Sequence, residues 1–120
     1  MLDRTIAPPA EKIDSISIPE FKKRNLVNGV PLYFLNSGEQ EVLKIDIVFA
    51  AGVKYEKVPG SSFLVAKLLT AGTQSKNAAE IAGELDYYGA FTETSSSFDK
   101  ITISIYCLKK FAQPILSLLY

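Results

Sequence analysis

Gly60-Ser61-Ser62-Phe63-Leu64-Val65-Ala66-Lys67-Leu68-Leu69-Thr70-Ala71-Gly72-Thr73 is the stretch on which the reading of this 120-residue chain turns. Pro59-Gly60 opens it and Gly72-Thr73 closes it. Between them, Ser61–Ala71 is apolar almost all round, with Lys67 as its only charge. That pattern predicts a helix over 61–71, buried on most sides rather than amphipathic.

The flanking sequence reads outward from this helix. On the C-terminal side Asn77 and Glu80 have the spacing of a capping box. Ile81, Leu85 and Tyr88 then form one stripe of a second helix, which Gly89 stops at the usual C′ position. Strands are predicted at Phe91–Ser95 and Lys100–Tyr106, with Ile101, Ile103 and Ile105 on one face. A last helix begins near Leu108, has Pro114 in its first turns, and is still apolar at Ile115, Leu116, Leu118 and Leu119. On the N-terminal side a charged loop, Lys54-Tyr55-Glu56-Lys57, follows Gly52. Before it, Leu43, Ile45, Ile47 and Phe49 alternate through Glu41–Ala51 as a half-buried strand does. Asn28-Gly29, between Phe21–Val27 and Val30–Asn36, predicts a hairpin closed by a type I′ turn. Residues 1–20, spaced by Pro8, Pro9 and Pro19, read as an extended arm partly pinned by Ile13, Ile16 and Ile18. The element order argues for an α+β fold, an antiparallel-rich mixed sheet covered by helices on one face.

Composition narrows the function. Thirteen basic and thirteen acidic residues give a net charge of zero, which supplies no field for nucleic acid or an acidic membrane. No apolar run is long enough to span a bilayer. Met1–Ala10 lacks a basic n-region followed by an apolar core. A single cysteine, Cys107, excludes an internal disulfide and leaves the compartment, cytoplasmic or periplasmic, open.

Histidine is absent from the whole chain, and a lone thiol is not a zinc site. Ser95-Ser96-Ser97 could suggest a nucleophile. Without histidine the only base would be Lys100, and the motifs that accompany S-x-x-K in penicillin-binding proteins are missing. A polar strand edge and loop is the expected reading. Tyr87, Tyr88 and Phe91 are expected in the core. Lys67 should either snorkel to solvent or meet a carboxylate, with Glu84, Asp86 and Glu93 as candidates.

The 60–73 stretch resembles the zinc helix of the pitrilysin/insulinase family of metallopeptidases, inverzincins that include mitochondrial processing peptidase-like proteins. There a Gly-bounded helix carries H-x-x-E-H, with two imidazoles at i and i+4 holding the metal and the glutamate activating water. Aligned without a gap, the histidines fall on Phe63 and Lys67 and the glutamate on Ala66. Phe63 has no lone pair to give, Ala66 cannot take a proton, and the charge of Lys67 repels a dication. The resemblance extends to the hairpin Leu26-Val27-Asn28-Gly29-Val30, to Phe49-Ala50-Ala51-Gly52 before Glu56, and to Leu85-Asp86-Tyr87-Tyr88-Gly89-Ala90. It implies that Asn28, Gly29, Gly52, Gly72, Thr73 and Gly89 are fold-signature or peptide-contact residues.

Family domains run to roughly twice this length, so residues 21–120 resemble the N-terminal part of one domain. Such a part is expected to self-associate or to belong to a longer protein. The resemblance implies a catalytically silent member that binds no zinc, pairs with a catalytic homologue and helps enclose an unfolded peptide. The alternative is a structural module of a larger assembly that handles no peptide. A complete peptidase would need zinc residues from another chain.

Overall fold

The structure, a computed structural model, describes residues 5, 7 and 12–118. Pro8, Pro9, Leu119 and Tyr120 lie outside the described residues. The chain divides into two compact units, Met1–Glu39 and Gln40–Tyr120.

The first unit is a hairpin of β1 (Lys22–Asn25) and β2 (Pro31–Phe34), paired from Lys22↔Phe34 to Asn25↔Pro31. Its turn is not type I′. Gly29 N–H donates to the Leu26 carbonyl at 2.9 Å, and Leu26 N–H to that of Val30 at 2.9 Å. Only Gly29, at φ 82°, takes a left-handed conformation, and no residue other than glycine does so among those described. This is a type I turn closed by a glycine bulge. Asn28 keeps negative φ because its side chain has another use, accepting from Val30 N–H at 3.1 Å. Ile13, Ile16 and Ile18 are exposed rather than pinned.

The second unit is a three-stranded sheet in the order β3 (Val42–Phe49), β5 (Ile101–Leu108), β4 (Phe91–Ser96). Both pairings are antiparallel; Ile45 and Thr92 flank Ile105, and Ile47 and Thr94 flank Ile103. The period of two therefore gathers Leu43, Ile45, Ile47, Ile101, Ile103, Ile105 and Cys107 on one face. Helices cover this face. The buried cluster is Ile103, Ile105, Cys107, Ile115 and Leu118, with Leu85, Tyr88 and Phe111 packed against it. Burial pushes the Cys107 thiol above its ordinary pKa. The opposite face carries Lys44, Asp46, Ser104 and Tyr106. Ser104 Oγ–H donates to Asp46 at 2.6 Å and Lys44 Nζ lies 3.1 Å away, so both hold the Asp46 carboxyl below its usual value, the serine more strongly.

Three helices complete the unit: α1 (Ser61–Leu68), α2 (Ala78–Tyr87) and α3 (Ala112–Ser117). The start of α2 is the expected capping box, with Asn77 and Glu80 exchanging side chain-to-backbone bonds of 3.0 and 2.8 Å. Its end is a Schellman arrangement, Ala90 N–H reaching the Leu85 carbonyl at 2.8 Å past Gly89. The strand β5 runs through Leu108, and a 3₁₀ turn at Lys109–Phe111 precedes α3, so the last helix starts later than expected. Pro114 falls in the first turn of α3, where no intrahelical N–H bond is lost. Ile115 and Leu118 are core residues, not an exposed stripe; Leu116 is the exposed one.

The expectation of a buried α1 needs correcting. Only Ser62 and Ala66 are buried, while Phe63, Leu64, Val65 and Leu68 are exposed. Residues four apart share a face, and among the described residues only the Ser62/Ala66 face of α1 packs on the sheet. All-round apolarity gave the sequence pattern no phase with which to predict that.

Candidate functional site

The position of α1 is set by a polar clasp at its N-terminus. Gly60 contributes no side chain to cap it, and the orphan N–H groups of the first turn are served by Glu56 instead. Its carboxylate accepts from Gly60 N–H at 2.9 Å, from Ser62 N–H at 2.8 Å, and from the Ser62 hydroxyl. A carboxylate also suits the positive end of the helix. The Ser62 hydroxyl, buried, accepts in turn from Ser96 Oγ at 2.9 Å, tying α1 to β4.

The loop that carries Glu56 is fastened to the β4–β5 turn. Val53 N–H donates to the Ser97 carbonyl at 3.1 Å and Lys54 N–H to that of Phe98 at 2.8 Å. Gly52 is what allows this approach. A Cβ there would lie 2.5 Å from each of Asp99 N, Lys100 N and Phe98 C. Gly52 is therefore a packing residue.

The hydrogen bonds from Ser62 and Gly60 hold the Glu56 carboxyl below its ordinary pKa, those from Ser62 contributing most. A depressed carboxyl adds stability that is present above the unfolded pKa and lost as pH falls through the folded one. Glu56→Ala should therefore lower the Tm at neutral pH, and its Tm should converge on that of the wild type as pH falls below about 4.5. Thermal unfolding across that range checks this, and a constant difference would mean the charge of Glu56 is irrelevant.

Phe63 and Lys67, the two positions of the histidines in the resembling motif, lie side by side on one flank of α1. Lys67 Nζ sits 5.8 Å from the Phe63 ring centre, and the lysine is exposed. Ala66 faces the sheet at 3% exposure. These side chains do not fit zinc: an aromatic ring and an ammonium offer no lone pair, and a methyl cannot serve as base. Among the described residues no three His, Cys, Asp or Glu side chains are grouped to hold an ion, and no helix is long and apolar enough to cross a membrane. Of the carboxylates considered for Lys67, Glu84 pairs with Lys76 instead.

The other singled-out residues have structural duties. Thr73 Oγ1 accepts from Lys76 N–H at 3.1 Å in the α1–α2 connection, where Gly72 bridges Asn77. Ser97 Oγ closes the β4–β5 turn on the Lys100 carbonyl at 3.1 Å. Tyr88 packs on the core, whereas Tyr87 and Phe91 are exposed, against expectation.

What sequence reasoning missed is a groove of about 470 Å³ lined by Lys67, Thr92, Glu93, Thr94, Ser95 and Ser104. Four consecutive β4 residues, alternating between the two faces of the sheet, line it. It runs beside β4, reaching Ser104 of β5, and the outer edge of β4 pairs with no strand among the described residues.

No protein-family model and no curated protein sequence matches the chain. Solved structures do. The peptidase M16 inactive domain from Pseudomonas fluorescens superimposes with a TM-score of 0.77 at 22% identity, over 83% of this chain and 25% of that one. A protease from Helicobacter pylori gives 0.73 at 21% identity, over 85% of this chain and 25% of that one. This chain spans about a quarter of the length of either neighbour. The chain shares the fold of these two neighbours, an α+β layer of antiparallel strands and helices.

Proposed function

We propose that the chain is a catalytically silent member of the pitrilysin/insulinase-type peptidases, M16 in the naming of its structural neighbour. It pairs with a catalytic homologue and supplies wall rather than chemistry around an extended peptide. One observation supports the reading: on a fold shared with an M16 inactive domain, the helix whose sequence resembles the family's zinc helix carries Phe63, Ala66 and Lys67. The exposed apolar flank of α1, including Leu64 and Leu68, is the kind of surface a partner covers. The free edge of β4 can hold a peptide by main-chain hydrogen bonds without reading its sequence.

Two measurements test this. The purified chain should retain no stoichiometric zinc after dialysis and hydrolyse no peptide; one tightly held zinc per chain would sink the silent assignment. Affinity purification from the native source should bring down a homologue bearing H-x-x-E-H. Recovery of a large assembly without any such homologue would favour the structural-module alternative.

A further inference from the structure

The proposed peptide site at the β4 edge carries information about which peptide it takes, and the following inference rests on that reading. Two charged residues line the groove, and they belong to opposite faces of the sheet. Lys67 comes from α1 on the helix-covered face. Glu93 projects from the other face, in register with Ser104, which itself lies opposite Asp46.

The neighbouring charges are already matched. Asp46 is satisfied by Lys44 and Ser104. Among the described residues, no ion pair engages Lys67 or Glu93, and the Lys67 ammonium stands 5.8 Å from the Phe63 ring centre. One uncompensated cation and one uncompensated anion therefore flank an unpaired strand edge, one on each face.

A strand added along β4 must continue the pleat, so its successive side chains alternate between the same two faces. Those on the helix side meet Lys67 and Phe63, and their immediate neighbours meet Glu93. We infer that this edge selects an extended peptide in which adjacent residues carry opposite charges, the acidic one towards Lys67 and the basic one towards Glu93. Both contacts are solvent-exposed, so each discriminates by about two- to fivefold and weakens with salt.

Isomeric peptides make the test. The full chain is titrated at low salt with unstructured, fluorescently labelled peptides containing either Glu-Lys-Thr or Glu-Thr-Lys in the same apolar frame. Composition and net charge are equal, but the second places both charges on one face. Expected is tighter binding of the adjacent isomer by about fivefold, a preference lost in Lys67→Met and in Glu93→Gln. In Lys67→Glu, preference should pass to a Lys-Lys-Thr peptide. All three substitutions are at exposed positions, and an unchanged Tm verifies folding. Equal affinity for both isomers, unaffected by the substitutions, overturns the inference while leaving peptide binding intact. Absence of binding by every peptide overturns both.

Discussion

Gly52→Ala is expected to cost about 3 kcal/mol of folding stability or more, read as a fall in the denaturant midpoint. The added methyl would stand 2.5 Å from three backbone atoms of the β4–β5 turn, Phe98 C, Asp99 N and Lys100 N. Backbone cannot swing aside as a side-chain tip can. Relief requires the loop to lift, which stretches the Val53–Ser97 and Lys54–Phe98 bonds and pulls Glu56 from the start of α1. Gly83→Ala is the internal control. It lies within α2 with nothing inside 4 Å of its Cβ, so alanine should raise stability by about 0.5–1 kcal/mol through helix propensity. A loss below about 1 kcal/mol at Gly52 would show that the clasp is loose.

The second large effect is expected from restoring the motif. Phe63→His, Ala66→Glu and Lys67→His together should yield neither a retained zinc ion nor peptide hydrolysis, since a catalytic zinc takes three protein ligands and the two imidazoles supply only two. The triple variant should also be less stable, by about 3 kcal/mol at neutral pH. The cause is position 66, which at 3% exposure faces the sheet, where a carboxylate is poorly solvated. Such a glutamate has its pKa raised on folding, so the charge penalty is absent below the unfolded pKa and grows as pH rises towards the folded one. Elemental analysis, a peptidase assay and urea unfolding at two pH values check the three parts. Stable zinc retention would contradict them.

Local signals were legible in the sequence. Asn77 with Glu80, Gly89, and the alternation of Ile101, Ile103 and Ile105 depend on neighbours within a few residues, and each lies where its pattern put it. Properties set over long separations were not. One local property also escapes: Asn28-Gly29 marks a turn, but its type follows the bond that Val30 N–H donates to the Asn28 side chain, one of two conformations the dipeptide permits. Seven apolar residues around α1 predict burial without saying which face the sheet takes. The site divides the same way. Phe63, Ala66 and Lys67 could be placed by resemblance, because the motif is local. Glu56 was visible only as an acid in a loop, since its bond network reaches through Ser62 to Ser96. The groove required knowing that β5 lies between β3 and β4, a strand order that no alternation pattern encodes.

The lone thiol in the middle of that order turns the protein into its own reporter. Cys107 lies on the central strand at 3% exposure, with burial holding it in the unreactive protonated form. An alkylating reagent can reach it only when the sheet separates from its helices. The rate of labelling therefore counts openings of the core, chain by chain, without an added probe. With no second cysteine in the sequence, every labelled molecule reports that one event.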